Sequence, residues 1–387
     1  MSSPDITDRE RAAVAQVLRS STLSMGPQVV AFEAAVAEGL GVRNAVAVSS
    51  VTAGLHCAVI ASGVDTGSLV VTSPFSFVSS ANVILYERAV PIFVDVDADT
   101  GNLRPDLTCE AMDDLAHGGA RADRWLPPVL RGTHAGSLKA VLPVHAFGQP
   151  ADMDAVLAAC DARDIPVIED ACEAIGATYN GRHAGTLGTS GVFAFYPNKQ
   201  MTAGEGGLLV TNDDAQATLV RSLRNQGRDE MGIWLRHDRL GYNYRLDEMS
   251  SALALVQFSR LDELLQKRAQ VAGWYTERLA GIDAVETPSL ASTTSRMSWF
   301  EYVLRMRRAA DRDLVGERLR EECIPSRPHF SPIHLQPFYR ERFGYTPGMY
   351  PTCEDWGARA LALPFSSVMT VEQVDIVCRA LTRALEA

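Results

Sequence analysis

Seven cysteines are scattered through 387 residues with no CxxC pair and no Cys/His spacing. Neither a disulfide framework nor a zinc site is supported, and reduced thiols are expected. No run of about 18 apolar residues occurs, the length a membrane-spanning helix needs. Low-complexity tracts and internal repeats are missing from a composition that is 47% hydrophobic and 21% charged, which speaks against a disordered chain and a solenoid. Basic charge is short as well: 36 Lys and Arg against 47 Asp and Glu leave a net charge of −11. The cations are dispersed, so no nucleic-acid or anionic-membrane footprint is expected. The opening residues, MSSPDITDRERAAV, are polar where a secretory leader has an apolar core, and a cytoplasmic protein is expected.

What is present alternates between two periods. At this length, a large domain with a smaller companion is the natural expectation. Val29, Phe32, Val36 and Leu40 share one helical face in PQVVAFEAAVAEGLG, and TAGLHCAVIASGV is a second helix candidate that ends at a glycine. The short apolar runs SLVVT, PIFVDV, KAVLPV and IPVIED are bounded by Gly, Pro, Asp or Ser, as buried strands of a mostly parallel sheet are. With DMDAVLAACDARD as a helix between two of them, the rhythm predicts an open α/β sheet covered on both faces. Residues 117–137 break the rhythm and are expected to form an exposed loop insertion. A long helix from Leu246 to Leu279 is expected to lead into a separate α+β unit. Its last helix opens on Thr370 and Gln373 in capping-box spacing and buries Val374, Val377, Leu381 and Leu385.

The stretch FAFYPNKQMTAGEGG sets Lys199 in a turn between two strand-like runs. A lone lysine is ordinarily a solvated surface residue, but partial desolvation in such a turn would favour the neutral, nucleophilic amine that Schiff-base chemistry requires. A Schiff-base cofactor such as pyridoxal phosphate also needs an anion at its ring nitrogen, a flat side chain against its ring and donors for its phosphate. VIEDACEAIGA ends a strand with Glu169 and Asp170, at the sheet edge where open α/β folds bind ligands. SSVTAGLHCAV runs from a strand into a helix through Ser49, Ser50, Val51 and Thr52, a phosphate-binding arrangement. SPFSFVSSAN offers Phe75 and Phe77 as ring partners. Taken singly, each segment has an ordinary explanation as a turn aspartate, a helix cap or core aromatics.

Together, in order, SSVTAGLH, SPFSFVSSAN, PVHAFGQPADMD, VIEDACEAIGA, FAFYPNKQMTAGEGG, LGYNYRLDEMSSALALVQ and SPIHLQPFY span nearly the whole chain. This series resembles the DegT/DnrJ/EryC1/StrS aminotransferases, sugar aminotransferases among the fold-type I pyridoxal-phosphate enzymes. The resemblance implies an aspartate-aminotransferase-like α/β fold, with a large cofactor-binding domain over residues 1–250 and a smaller α+β domain over 251–387. It implies pyridoxal 5′-phosphate held covalently by Lys199, which also shuttles the proton. Asp170 is implied at the ring nitrogen, Phe77 against the ring, and Thr52 and Ala53 at the phosphate. Asn243 is implied to reach the phosphate across the interface of a homodimer with shared active sites.

Glu173 stands where many relatives carry Gln beside the cofactor's 3-oxygen, and Ala194 where many carry a phosphate-binding Ser. Arg327, His329 and His334 fall where the second domain of such enzymes approaches the substrate; cations there suit a diphosphate or an acidic amino donor. The implied reaction moves an amino group from an amino acid, glutamate or glutamine, to a 3- or 4-keto sugar linked to a nucleotide. A keto-cyclitol acceptor is the alternative. A dehydratase branch of the family has His in place of the lysine, so Lys199 argues against that chemistry. Acceptor identity rests on loops such as 117–137 and 325–340, whose shapes do not follow from one sequence.

Overall fold

Val-rich runs too short for helices become the strands of the central sheet in the computed structural model, which describes residues 3–133, 136–228 and 236–386. These strands are β1 (Asn44–Val48), β2 (Leu69–Thr72), β3 (Val90–Phe93), β4 (Leu138–Leu142) and β5 (Ile168–Asp170). A small hairpin follows, β6 (Thr178–Tyr179) and β7 (Arg182–His183), and then β8 (Ser190–Ala194) and β9 (Gly207–Thr211). Strands β3, β2 and β4 are parallel, as are β5 and β8. Parallel bridges Val141–Val167 and Val144–Asp170 join the two halves into one surface. Only β9 runs against its neighbours β8 and β1. The cause is the connection: the loop from β8 to β9, which carries Lys199, contains no helix, and without a crossover two consecutive strands pair antiparallel.

Side-chain alternation divides the sheet into two buried faces. Ala45, Ala47, Phe193, Leu208 and Val210 meet the helix Pro27–Leu40 through Val29, Phe32, Val36 and Leu40. Val46, Ile168, Val192 and Leu209 meet the helices Val51–Ala61 and Asp214–Arg224. The helix Pro27–Leu40 begins with a proline at its first position, and the buried Glu248 carboxylate accepts from the amides of Gly26, Gln28 and Val29. That anchors the start of the chain to the helix Glu248–Ser259.

A second packing unit surrounds β10 (Val285–Glu286), β12 (Tyr302–Met306), β14 (Ala360–Leu363) and β13 (Arg327–Pro328), paired in that order, while β11 (Thr294–Arg296) joins the β6–β7 hairpin. Tyr275, Tyr302, Leu304, Leu319, Leu363 and Leu381 form its core. The final helix, Val371–Glu386, has the expected box: Thr370 N donates to Gln373 Oε1 at 3.0 Å and Gln373 N to Thr370 Oγ1 at 3.3 Å.

Two elements differ from the sequence expectations. The helix expected over 246–279 is two, Glu248–Ser259 and Leu261–Leu279, interrupted at Arg260. There the buried guanidinium turns to Glu10 at 2.7 Å and Asp5 at 2.9 Å, a demand no straight-helix pattern reveals. Residues 117–137 are not simply an exposed loop. A short helix, Gly119–Asp123, brings Trp125 Nε1 to Asp114 Oδ2 at 2.9 Å and buries Leu126; residues 134 and 135 lie outside the described residues. Among the described residues no helix is long and apolar enough to cross a membrane.

Candidate active site

Strand β5 ends in two acids that alternation sends to opposite faces. Asp170 is buried; Ser80 Oγ donates to its Oδ2 at 2.6 Å and Cys172 N to its Oδ1 at 3.2 Å. Its main chain is fixed on both sides, because Asp170 N donates to Pro143 O and His145 N to Asp170 O. Ser80 also donates to Phe77 O at 3.2 Å. The turn carrying Phe77 is therefore tied to the turn carrying Asp170. The two phenylalanines of SPFSF then separate: Phe75 is 0% exposed among Phe147, Phe330 and Trp356, whereas Phe77 is 64% exposed.

Lys199 lies in a loop closed by Lys199 N to Tyr196 O at 2.9 Å and Ala203 N to Phe195 O at 2.9 Å. Its Nζ is 3.3 Å from Glu173 Oε1 and 3.7 Å from the centre of the Phe300 ring. The other oxygen of Glu173 accepts from Phe147 N at 2.9 Å. Burial pushes the Glu173 carboxyl up, against the opposing pull of Lys199. Gln200 Nε2 donates to Glu173 O and, at 2.8 Å, to Ser298 Oγ, so the residue after the lysine holds the backbone of its partner.

The helix Val51–Ala61 begins with Ser50 as its cap, and Ser50 Oγ accepts from Ala53 N at 3.1 Å. Among the described residues the amides of Val51 and Thr52 have no acceptor, whereas the Ala53 amide, implied at the phosphate together with Thr52, is already taken by the Ser50 cap. Gly207 of the GEGG turn packs directly against this helix start, where a Cβ would come within 2.7 Å of the Ser50 carbonyl and Val51 N. Only glycine permits that approach. Ala194 pairs with Gly207, so at this position the sheet presents a methyl group and no hydroxyl donor for a phosphate.

Asn243 lies in an extended segment whose Tyr244 O accepts from Ser49 N at 2.8 Å. Tyr242 and Tyr244 stack on each other and pack against His56, and Asn243 between them is exposed. Arg327 pairs with Glu301 at 2.8 Å, and His329 Nδ1 lies 3.5 Å from the other Glu301 oxygen. Burial pushes His329 down to about 4; Glu173 opposes that shift, and Arg327 and Lys199 add to it. Burial therefore favours the neutral imidazole of His329, whose ring packs against Phe300 and Phe330. The structure does not bring His334 to this group. His334 is 0% exposed, 3.0 Å from Glu354, packed on Tyr345 and Tyr350, and burial lowers its pKa too. The three cations expected here reduce to Arg327, because burial favours the neutral ring of both histidines.

Sequence reasoning missed Ser80, Phe300 and Gln200. Ser80 falls one helical turn after Phe77, a spacing that could have identified it. Phe300 comes from the second packing unit, and no local pattern points to it. An open groove of about 870 Å³ adjoins the site, bounded by Phe77, Tyr86, Phe330, Phe338 and Arg342.

Residues 4–382 match the DegT/DnrJ/EryC1/StrS aminotransferase family. The chain belongs to that family. It is 36% identical over 376 residues to EpsN of Bacillus subtilis, assigned as a pyridoxal phosphate-dependent aminotransferase, covering 96% of this chain and 92% of the relative. It is 34% identical over 390 residues to GDP-perosamine synthase of Caulobacter vibrioides, covering 100% and 98%. The crystal structure of the aminotransferase TlmJ from Streptoalloteichus hindustanus superposes with a TM-score of 0.87 at 30% identity, covering 99% and 98%. The protein is thus a pyridoxal-phosphate-dependent aminotransferase of fold type I.

The residues of this aminotransferase fit that cofactor. Two free amides and the Thr52 hydroxyl at a helix start suit a phosphate. A buried aspartate held by Ser80 and Cys172 suits a protonated ring nitrogen, and the Lys199 amine stands beside Glu173 for the aldehyde.

Proposed function

We propose that this aminotransferase moves the amino group of glutamate or glutamine to a 3- or 4-keto deoxysugar linked to a nucleotide. The pairing of Lys199 with Glu173 beside the buried Asp170 carries the transamination half of this reading. The full-length similarity to GDP-perosamine synthase supports the acceptor class. The groove at Phe77 offers aromatic walls and Arg342, which has no acidic partner among the described residues, to a nucleotide and its phosphates.

When bound, pyridoxal 5′-phosphate supplies the electron sink that lets the C–H bond beside the amino group ionise. Lys199 Nζ would take that proton and return it on the far side of the nitrogen. Asp170 would hold the proton on the ring nitrogen, Phe77 would lie against the ring, and Thr52 with Val51 would bind the phosphate. Glu173 would keep Lys199 aimed, and neutral His329 and paired Arg327 would face the substrate. Further support comes from Asn243: exposed, with its neighbours turned inward to His56, it is free to serve a partner's phosphate in a homodimer with shared sites. The exposed apolar side chains of Leu23, Met25 and Leu240 suit such an interface. We place the reaction in the cytoplasm, where seven unpaired thiols stay reduced.

The test offers glutamate or glutamine with an isotopically labelled amino nitrogen, together with GDP- and dTDP-linked keto sugars and a keto-cyclitol. Label appearing in a nucleotide sugar is the expected outcome. Label appearing only in the cyclitol would overturn the acceptor class.

A further inference from the structure

Arg268 lies on the inward stripe of the helix Leu261–Leu279, between Leu264, Leu265, Val271, Ala272 and Tyr275. It is 2% exposed, and no carboxylate lies within ion-pair distance among the described residues. Its four hydrogen bonds all go to main-chain carbonyls. Nη1 donates to Trp299 O and Phe300 O, each at 3.0 Å. Nη2 donates to Lys199 O at 2.8 Å and Asn198 O at 3.3 Å, and Nε has no partner. A buried charge without a bonded acid is costly, and burial pushes this guanidinium down to about 10 against the weaker opposing pull of Glu301. Helix packing alone gives no reason for an arginine here, because a Leu or Met would fill the stripe without that cost.

The two pairs of carbonyls give the reason. One pair belongs to Lys199 and its neighbour, at the root of the amine. The other belongs to Phe300 and its neighbour, and the Phe300 ring lies 3.7 Å from Lys199 Nζ. A planar five-donor fork can hold both segments at once, whereas an ammonium is a point charge on a flexible stem. The lysine loop belongs to the large sheet and Trp299–Phe300 leads into β12, so Arg268 joins the two packing units at the main chain of the lysine itself. We infer that Arg268 is a positioning residue of the reaction, fixing Lys199 and the Phe300 ring relative to each other. It does so with Lys199 as the reacting amine, as proposed above.

The test compares Arg268→Met, which keeps the volume, with Arg268→Lys, which keeps the charge. Three quantities are read: kcat and KM for both substrates, the rate at which cofactor-free protein takes up pyridoxal 5′-phosphate covalently, and the non-covalent cofactor affinity in a Lys199→Ala background. Because small misplacements at a reacting centre are costly, Arg268→Met should lower kcat and the uptake rate by about 10- to 100-fold. KM should change less than about twofold, with Arg268→Lys intermediate. Affinity in the Lys199→Ala background should not change. If Arg268→Met does not fold, Arg268→Lys decides alone, by a loss of at least about threefold in uptake rate. Wild-type uptake and kcat in the variants would overturn the inference, as would an equal loss of affinity without Lys199, which would mark a purely structural role. Borohydride trapping with peptide mapping in the wild type separates the two claims: a label on another lysine refutes Lys199 as the reacting amine, whatever Arg268 does.

Discussion

Glu169 and Glu173 leave the same strand end, and both are buried, yet their surroundings are opposite. Glu169 accepts from His145 Nε2 at 2.8 Å and from the amides of Gly185, Leu187 and Gly188; His145 Nδ1 in turn accepts from Ala151 N at 3.0 Å. Every lone pair that matters there has a donor. Glu173 has one amide at 2.9 Å and an amine at 3.3 Å, and burial pushes its carboxyl up. A saturated carboxylate locks two loops together, whereas an under-satisfied one leaves its partner amine available for chemistry.

The difference is sharpest at Lys199. Lys199→Ala should lower kcat by about 10⁴-fold while the protein still binds cofactor non-covalently, seen by comparing turnover with equilibrium binding. Asp170→Asn removes the anion beside Ser80 and should slow turnover by about 10²- to 10³-fold, with a smaller loss of cofactor affinity. Equal modest losses would make Asp170 a turn residue only. On the saturated side, Glu169→Ala orphans three amides and His145 and should cost about 3–5 kcal/mol in denaturant unfolding. Its folded fraction should keep more activity than Asp170→Asn. If Glu169→Ala is as stable as wild type, the contrast between the two acids fails.

Acid should act on His329. Its folded pKa of about 4 lies below the ordinary 6.5, so the unfolded chain binds the proton more readily. The preference for the folded state is complete above pH 6.5 and is lost as pH falls toward 4. The loss is up to about 3 kcal/mol across that window and should be absent in His329→Gln, measured by unfolding midpoints at several pH values. The smallest effect is expected at Glu173. Its folded pKa is raised above the ordinary 4.5, so wild type loses stability as pH climbs from 4.5 until the carboxyl ionises. Glu173→Gln, which does not titrate, should escape that loss, so its stability should fall less than that of wild type as pH rises from acid to neutral. A Glu173→Gln variant with an unchanged pH slope would show that Glu173 is as well satisfied as Glu169.

Much of the fold was legible because local rules and tertiary structure agree. The runs SLVVT, PIFVDV, KAVLPV and IPVIED became β2, β3, β4 and β5, and Thr370 with Gln373 formed its box. Legibility ended where a distant group intervened. Arg260 breaks a helix because Asp5 and Glu10 reach it from the other end of the chain. Residues 117–137 dock because Asp114 holds Trp125. His334, within a specific motif, is enclosed by Tyr345, Tyr350 and Glu354, while His329, in a plainer stretch, packs against the Phe300 ring that the Lys199 amine also meets.

The sequence by itself determined the strands and helices, the alternation that sends Glu169 and Asp170 to opposite faces, the lysine in a helix-free connection, and the family through seven motifs in order. Each depends on residues close in the chain, where periodicity, turn chemistry and steric demand act locally. Tertiary structure alone decided which side chains share the dry space around Lys199. Phe300 and Arg268 come from the second packing unit, Ser80 from the start of the helix Ser79–Tyr86, and the preference of His329 for its neutral form from burial that the packed fold creates. Proximity across the chain and the removal of water are properties of the packed molecule, and no local pattern encodes them.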